Sequence, residues 1–288
     1  MQKGELLRKL GHPEDARLCI ISCDSLGFSH SHNVAAFDAL TRGIATTARL
    51  VANAPWSREV SSLYRGQDLG IGLVLTSDHD IFRMAPLTQS PTLVDGAGEL
   101  PRTLEDFWEH ADTAEVRREC RAQVERAIFY GLDPSHLASE AQALTLRPEF
   151  FDVLIEVALE FGLPVRVPMS DDPATAVFPA AELAAEAGVF SPDGQVCTFD
   201  SGPGSHFVDE RVFEETLASL TPGVSEISFR PAVASDELTA LYPQDWERFA
   251  RAHLFLTSPL AQIMLADHRV STIGYRELKQ VQAELTAQ

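Results

Sequence analysis

Short apolar runs that predict buried strands alternate with amphipathic stretches that predict helices along this 288-residue chain. The apolar runs predict strands near residues 18–21, 45–52, 68–76, 135–140, 164–168, 195–200, 224–230 and 271–275. Helices are predicted between them, near 33–40, 114–130, 180–187, 209–220, 245–255 and 259–266, and two more are predicted to begin at the cap Ser57 and at Arg147-Pro148-Glu149. The alternation therefore predicts an α/β fold: one (β/α) barrel, TIM-like with room for distortion, of seven or eight mostly parallel strands.

The pattern runs without a linker, an internal repeat or a shift in composition, so residues 1–288 are expected to form one domain. A hydrophobic content of 45% is enough for a large core. Residues 1–16 are expected to be an N-terminal extension. The long segment 77–113 carries Pro86, Pro91 and Pro101, and loops of this length are often functional lids, so a lid is expected here.

The charge of the chain limits its partners. A formal net charge of -19 repels nucleic acid and anionic membrane surfaces, so neither is expected to bind. No stretch approaches the roughly 20 apolar residues that a membrane span requires. The four cysteines form no C-x-x-C pair, which suits a reducing compartment. A cytoplasmic protein with a small-molecule ligand is expected, and a homodimer through apolar helix faces is one expected assembly.

The stretch from Leu18 to Asn33 is the first place to look for chemistry. Its apolar run ends in Ser22-Cys23-Asp24-Ser25, where a parallel strand should emerge from the sheet. The carboxyl ends of parallel strands and the loops after them carry the active sites of α/β proteins. Asp24 is therefore the first candidate functional residue, although an Asp at this position is also typical of a helix cap or a turn.

Six stretches carry a family resemblance. They are SCDSLGFSHSHN at 22–33, DLGIGLVLTS at 68–77, DPSHLASEAQALTLRPEFF at 133–151, GLPVRVP at 162–168, TPGVSEISFRPA at 221–232 and STIGYREL at 271–278. In this order along the chain they resemble the YdjC-like carbohydrate deacetylases. The resemblance implies a distorted β/α barrel that removes acetyl groups from amino sugars of chitin-type oligosaccharides. It also implies a divalent metal, magnesium or zinc, and a carboxylate base.

This chain differs from the family at the positions that the resemblance assigns to the metal site. Asp24 keeps the base of an Asp-Asp pair, but Ser25 replaces the carboxylate ligand. Val74 stands in place of one histidine ligand, and Glu140 in place of the other in HLASE at 136–140. Arg230 stands where the family has a histidine that is a candidate acid. A valine, a hydroxyl and one carboxylate are poor ligands for a hard divalent ion, so no metal is expected.

Three interpretations follow from these substitutions. The favoured one is an inactive or repurposed family member that binds a small saccharide-like or anionic ligand. The alternatives are a hydrolase that uses Asp24 with Glu140 or Arg230 without metal, and a deacetylase whose metal site is rebuilt from Asp24 and Glu140. Glu140 and Arg230 are expected either to form an ion pair in the space of the metal or to leave Arg230 to hold an anionic group bidentately.

The candidate site residues follow from this interpretation. Asp24, Glu140 and Arg230 are expected to carry any catalysis, and a second set is expected to bind the ligand: Ser25, His30, Val74, His136 and Arg166. His30 and His32 are interpreted as loop residues or as ligands that face one another. Further candidates with weaker arguments are the acidic cluster Asp78-His79-Asp80, His206 in a glycine-rich loop, and a sugar-stacking role for Trp56, Trp108 or Trp246.

Overall fold

A curled parallel sheet is the centre of the fold in the computed structural model, which describes residues 3–167, 178–197 and 210–286. Its strands are β1 (Arg17–Leu26), β2 (Thr47–Leu50), β3 (Leu69–Leu73), β4 (Pro134–Ser139), β5 (Val165–Arg166), β6 (Gly194–Cys197), β7 (Gly223–Phe229) and β8 (Val270–Thr272). The strand order is β5-β4-β3-β2-β1-β7-β6, and β8 pairs with the first residues of β1. All these pairings are parallel. The predicted distorted TIM-like barrel is confirmed.

Helices surround the sheet. They are α1 (Lys3–Lys9), α2 (His30–Arg42), α3 (Ser57–Leu63), α4 (Leu104–His110), α5 (Thr113–Phe129), α6 (Pro148–Phe161), α7 (Ala180–Glu186), α8 (Glu210–Ser219), α9 (Asp236–Leu241), α10 (Trp246–Leu256), α11 (Pro259–Asp267) and α12 (Tyr275–Thr286). In the described part of the chain, none of them is long and apolar enough to cross a membrane. Tyr275, predicted in the last strand, instead opens α12.

The two faces of the strands pack into different clusters because successive side chains alternate between faces. In β1, Cys19, Ile21 and Cys23 pack in the main cluster that the outer helices cover. Leu18 and Ile20 belong to a second cluster, which Leu6 and Leu7 of α1 and Tyr275 and Leu278 of α12 complete. Residues 18, 20, 22 and 24 of β1 therefore share the inner face of the sheet, and Asp24 is the last of them.

The N-terminal extension and the 77–113 segment both carry regular structure. The extension contains α1, whose two leucines are buried under the sheet. The long segment contains a short 3-10 turn and α4. Buried Glu119 of α5 anchors it, since its carboxylate accepts hydrogen bonds from the backbone of Leu87 (2.9 Å) and Thr88 (3.0 Å). Gln123, one turn further, bonds both the N–H and the carbonyl of Val74.

Candidate functional site

Two arginines and three carboxylates form a buried network where the inner faces of the strands end. Arg49 forms ion pairs with two carboxylates: its Nη2 lies 2.9 Å from Oδ2 of Asp24, and its Nε lies 3.0 Å from Oε1 of Glu140. Arg166 donates from Nη1 to the same Oδ2 of Asp24 (3.0 Å). Its Nε lies 3.4 Å from Oε1 of Glu226. We call these five residues the ion network. Each carboxylate in it faces at least one guanidinium group.

A lower layer of hydrogen bonds supports the ion network from inside the barrel. The hydroxyl of Tyr275 donates to Oε2 of Glu226 (2.5 Å), and Arg166 donates from Nη2 to the hydroxyl of Ser228 (2.8 Å). Ser22 donates to the second oxygen of Asp24 (3.2 Å). The second carboxylate oxygen of Asp24 and that of Glu226 therefore each accept a hydroxyl hydrogen bond, which fixes their orientation.

The backbone at this end of the sheet is shaped to hold the network. A Cβ at Gly72 would lie 2.2 Å from Oε1 of Glu140, so only glycine leaves room for that carboxylate. Ser25, which follows Asp24, has a φ of 70°. Ala141 and Gln142, which follow Glu140, have φ values of 47° and 59°. Left-handed backbone at residues other than glycine is strained and clusters at functional sites. The strain therefore marks the same strand ends as the charges.

The charges of the network move the pKa values of the groups inside it. Burial acts to raise the pKa of Asp24, but Arg49 and Arg166 outweigh burial, and the pKa lies below its usual value. Burial, to which the charge of Asp24 adds, raises the pKa of Glu226, and Arg166, the hydrogen bond from Tyr275 and Arg49 offset only part of this effect. Burial, together with the positive charges of Arg49 and Arg166, lowers the pKa of His136 well below its usual value. Asp24 is thus an ionised and weakly basic carboxylate at neutral pH.

A cavity of about 870 Å³ opens above the network. Asp24, Arg49, Glu140 and Arg166 form its floor. Its walls come from the 77–84 stretch after β3, from Arg230 after β7, and from the segment between α9 and α10. Several aromatic rings lie along these walls, namely those of Phe28, His79, Phe82 and Tyr242. A polar floor beneath aromatic walls suits a ligand with both hydroxyl groups and C–H faces.

The structure brings five of the predicted site residues together around this cavity: Asp24, Val74, Glu140, Arg166 and Arg230. Glu140 was predicted to form an ion pair with Arg230. In the described part of the chain it pairs with Arg49 instead. Arg230 instead lies with its guanidinium carbon 5.9 Å from the centre of the Phe249 ring. Its positive charge contributes to the low pKa of Asp24.

The other three predicted residues lie away from the cavity wall. His136 is buried below the network and stacks on Tyr275 at a centroid distance of 3.7 Å. Ser25 is buried, and its hydroxyl has no hydrogen-bond partner among the described residues. His30 lies on the outer surface, where it bonds Glu59 (2.7 Å) with a side chain that is 55% exposed.

Neither interpretation of the His30 and His32 pair matches the structure. Both residues lie on α2 rather than in a loop, and two residues along a helix are about 200° apart around its axis. The two rings therefore cannot face one another. His30 points outward, and His32 is buried at 1% exposure.

Of the remaining candidates that the structure describes, the acidic cluster lines the cavity and the tryptophans do not. Asp78, His79 and Asp80 all line the cavity, and His79 stacks on Phe82 at 4.2 Å. The three tryptophans do not line the cavity. Trp56 lies beside His30, and the indole N–H of Trp108 donates to the carbonyl of Ala143. Trp246 packs in a small cluster with Phe249. His206 lies outside the described residues.

Sequence reasoning missed Arg49 and Glu226, although the strand pattern carried a signal for both. In β2, Thr47 and Arg49 alternate with apolar Ala48 and Leu50, so the two polar residues share one face. Glu226 shares the face of Val224 and Ser228 in β7. A charged residue on the inner face of a buried strand needs a partner of opposite charge, which this pattern could have indicated.

The model of the YdjC-like protein family matches residues 18–267. The chain belongs to the YdjC-like family. A carbohydrate deacetylase of Thermus thermophilus is 33% identical over 275 residues, which cover 95% of this chain and 98% of the relative. A carbohydrate deacetylase of Thermoanaerobacter pseudethanolicus is 26% identical over 90% of this chain and 98% of its own length.

A solved structure gives the same result for the fold of this YdjC-like chain. The crystal structure of an Enterococcus faecalis protein, described as a cellobiose-phosphate cleavage protein, matches with a TM-score of 0.78. The match covers 91% of this chain and 99% of that one at 21% identity. At this identity the likeness supports the fold, and the function must be argued from the residues of the site.

Proposed function

We propose that this YdjC-like protein binds a small saccharide-like ligand in the cavity and does not hydrolyse it by metal-dependent chemistry. The observation that carries the proposal is the ion network. Arg49 lies between Asp24 and Glu140 and contacts both carboxylates, at 2.9 and 3.0 Å. Its guanidinium group supplies positive charge between carboxylates that a metal ion would otherwise need to bridge.

The donor set does not fit a divalent ion. Such an ion prefers several oxygen or imidazole ligands at one point. Within the described residues, no three His, Cys, Asp or Glu side chains gather in that way. Oδ2 of Asp24 already forms ion pairs with two guanidinium groups, those of Arg49 and Arg166. A metal beside them would bring two further positive charges next to fixed cations, and electrostatic repulsion opposes that arrangement.

The low pKa of Asp24 also argues against a metal-free hydrolase that uses this residue as base. A general base is most effective when its pKa lies near the working pH. Arg49 and Arg166 hold the pKa of Asp24 below its usual value. They also occupy the oxygen that would accept a proton from water. Asp24 is better suited to hold the two arginines in place than to activate a nucleophile.

The cavity retains the features of a saccharide pocket. Aromatic rings such as Phe28, Phe82 and Tyr242 offer faces on which the C–H groups of a sugar can pack. The polar side chains of Ser139, Gln142 and Thr145 line it as well and can bond hydroxyl groups. Its volume of about 870 Å³ accommodates a small oligosaccharide.

Two assays test this proposal. Acetate release from N-acetylglucosamine, its dimer and its trimer is measured with and without zinc or magnesium, and binding of the same sugars is measured by calorimetry. We expect binding without metal-dependent acetate release. Arg230→Ala should weaken binding because Arg230 lines the cavity, whereas Arg121→Ala, on an exposed part of α5, should leave binding unchanged.

Three results would contradict all or part of the proposal. Acetate release that requires added metal would return the protein to the metal-dependent deacetylases. Metal-independent release that Asp24→Asn abolishes would support the hydrolase alternative. Absence of binding to all the acetylated sugars would remove the saccharide part of the proposal.

A further inference from the structure

Part of the cavity mouth is apolar and exposed. Ile81 lines the cavity and is 60% exposed, a high value for a large aliphatic residue. Ala240 and Pro243 line it as well and are exposed, and Leu241 between them is half-buried. We call these four residues the apolar mouth. The cavity therefore changes from a buried, charged floor to exposed apolar side chains where it opens to solvent.

An aromatic contact joins the two stretches that form the apolar mouth. The ring of His79 lies 5.1 Å from that of Tyr242, edge to face, and stacks on Phe82 at 4.2 Å. Ile81 lies between His79 and Phe82 in the sequence, and Leu241 directly precedes Tyr242. The apolar side chains thus come from two stretches that meet at one contact.

The stretch that carries Ile81 is fixed at both ends. The backbone N–H of Ser77 donates to the carbonyl of Pro101 (2.8 Å), and the Ser77 hydroxyl accepts from the N–H of Met84 (2.9 Å). Within the stretch, the N–H of Ile81 donates to Nδ1 of His79 (3.2 Å). A hydrogen-bonded backbone therefore holds Ile81 at the mouth, and a ligand that covers it need not order the stretch first.

The chemistry of the apolar mouth selects an apolar group rather than a second sugar. Its four side chains have no hydrogen-bond donor or acceptor, so hydroxyl groups placed against them would lose hydrogen bonds to water. An alkyl or aryl group gains free energy there, roughly in proportion to the apolar area that is removed from water.

We propose that the apolar mouth is a subsite for the apolar aglycone of a glycoside whose sugar occupies the inner part of the cavity. The inference rests on the proposed saccharide function and names the class of saccharide. The volume of about 870 Å³ supports it, because pockets of this size hold drug-sized ligands, which are larger than a single sugar ring. Ile81 is then a specificity residue and takes no part in bond breaking.

The test compares two glycosides that differ in their aglycone alone. Methyl and phenyl N-acetyl-β-glucosaminide carry the same sugar, and the affinity of the protein for each is measured by calorimetry. We expect the phenyl glycoside to bind at least about tenfold more tightly, which corresponds to about 60 Å² of apolar surface removed from water. The methyl glycoside should displace the phenyl glycoside, because their sugars share one site.

Variants of one exposed residue assign the preference to the apolar mouth. Ile81→Ser should remove most of it and leave the affinity for the methyl glycoside unchanged, whereas Ile81→Leu should retain it. Ile263→Ser is the matched control, since Ile263 of α11 is 54% exposed and does not line the cavity. It should change neither affinity. Both isoleucines are exposed, so these substitutions leave the fold intact.

A second measurement does not depend on any variant. In wild-type protein with ¹³C-labelled isoleucine methyl groups, the δ1 methyl signal of Ile81 should shift on addition of the phenyl glycoside and remain nearly unchanged with the methyl glycoside.

Equal affinity for the two glycosides, or an undiminished preference in Ile81→Ser, would overturn the subsite and leave the proposed function intact. Phenyl glycoside binding that the methyl glycoside does not displace would place the aryl group outside the cavity and would also overturn the subsite. Failure to bind either glycoside would overturn the saccharide function and the subsite together.

Discussion

Replacement of Arg49 by methionine is expected to lower the free energy of unfolding by about 3 to 5 kcal/mol, the loss that follows when one partner of a buried ion pair is removed. Arg49 forms ion pairs with Asp24 and Glu140, and its side chain is only 7% exposed. Methionine fills a similar volume but removes the ion-pair partner of Glu140 and leaves Asp24 with Arg166 alone. Urea denaturation followed by circular dichroism measures the loss.

Two controls separate this effect from a general cost of removing arginine. Arg211, on the surface of α8, pairs with Glu215 at 2.9 Å, and its side chain is 79% exposed. Arg211→Met should therefore change stability little, as is usual for exposed pairs. In a Glu140→Gln background, Arg49→Met should cost less than in the wild-type protein, because residue 140 then carries no charge that needs a partner. A loss below about 1 kcal/mol for Arg49→Met alone would contradict the role assigned to this residue.

Gly70→Ala is expected to destabilise the protein by about 3 kcal/mol, at the upper end of the usual cost of overpacking a core. A Cβ at this position of β3 would lie 2.1 Å from Cε1 of His136. That ring cannot move aside, since it stacks on Tyr275 at 3.7 Å and is fully buried. The melting temperature should fall accordingly, and differential scanning calorimetry measures it.

Matched variants identify the contact as the cause. Gly96 is exposed, and a Cβ there would meet nothing within 4 Å, so Gly96→Ala should leave the melting temperature nearly unchanged. The cost of Gly70→Ala should also shrink in a His136→Ala background, where the clashing ring is absent. An equal loss of stability in both backgrounds would show that contact with the His136 ring is not what makes Gly70→Ala destabilising.

The fold could be predicted from the sequence because its signals are local. The apolar run at 18–21 lies in β1, and the helix predicted at 114–130 is α5 (Thr113–Phe129). Tyr275 was predicted in the last strand but opens α12, and this difference has a physical reason. Its ring is buried against β4 by stacking on His136, and its hydroxyl bonds Glu226, so a tertiary contact outweighs the local strand propensity.

The candidate site could be predicted only in part. The positions of Asp24, Glu140 and Arg230 near one cavity follow from parallel strands that end at the same edge. The partner of Glu140 did not follow, because pairing between charges from different strands depends on register and reach. Arg49, which the sequence interpretation passed over, lies beside both Asp24 and Glu140.

The surroundings of His32 could not be read from the sequence for a related reason. Its place on α2 fixes only that it points away from His30. Its burial depends on Phe249 and Tyr242, which lie more than 200 positions later in the chain.

The central claim is that Arg49, and not a divalent ion, supplies the positive charge between Asp24 and Glu140. Calorimetric titration of zinc and magnesium into chelator-treated protein, with metal analysis of the untreated protein, tests it most directly. We predict no stoichiometric metal in either measurement. One zinc or magnesium ion per chain, lost in Asp24→Asn, would contradict the claim and identify the site as a metal centre.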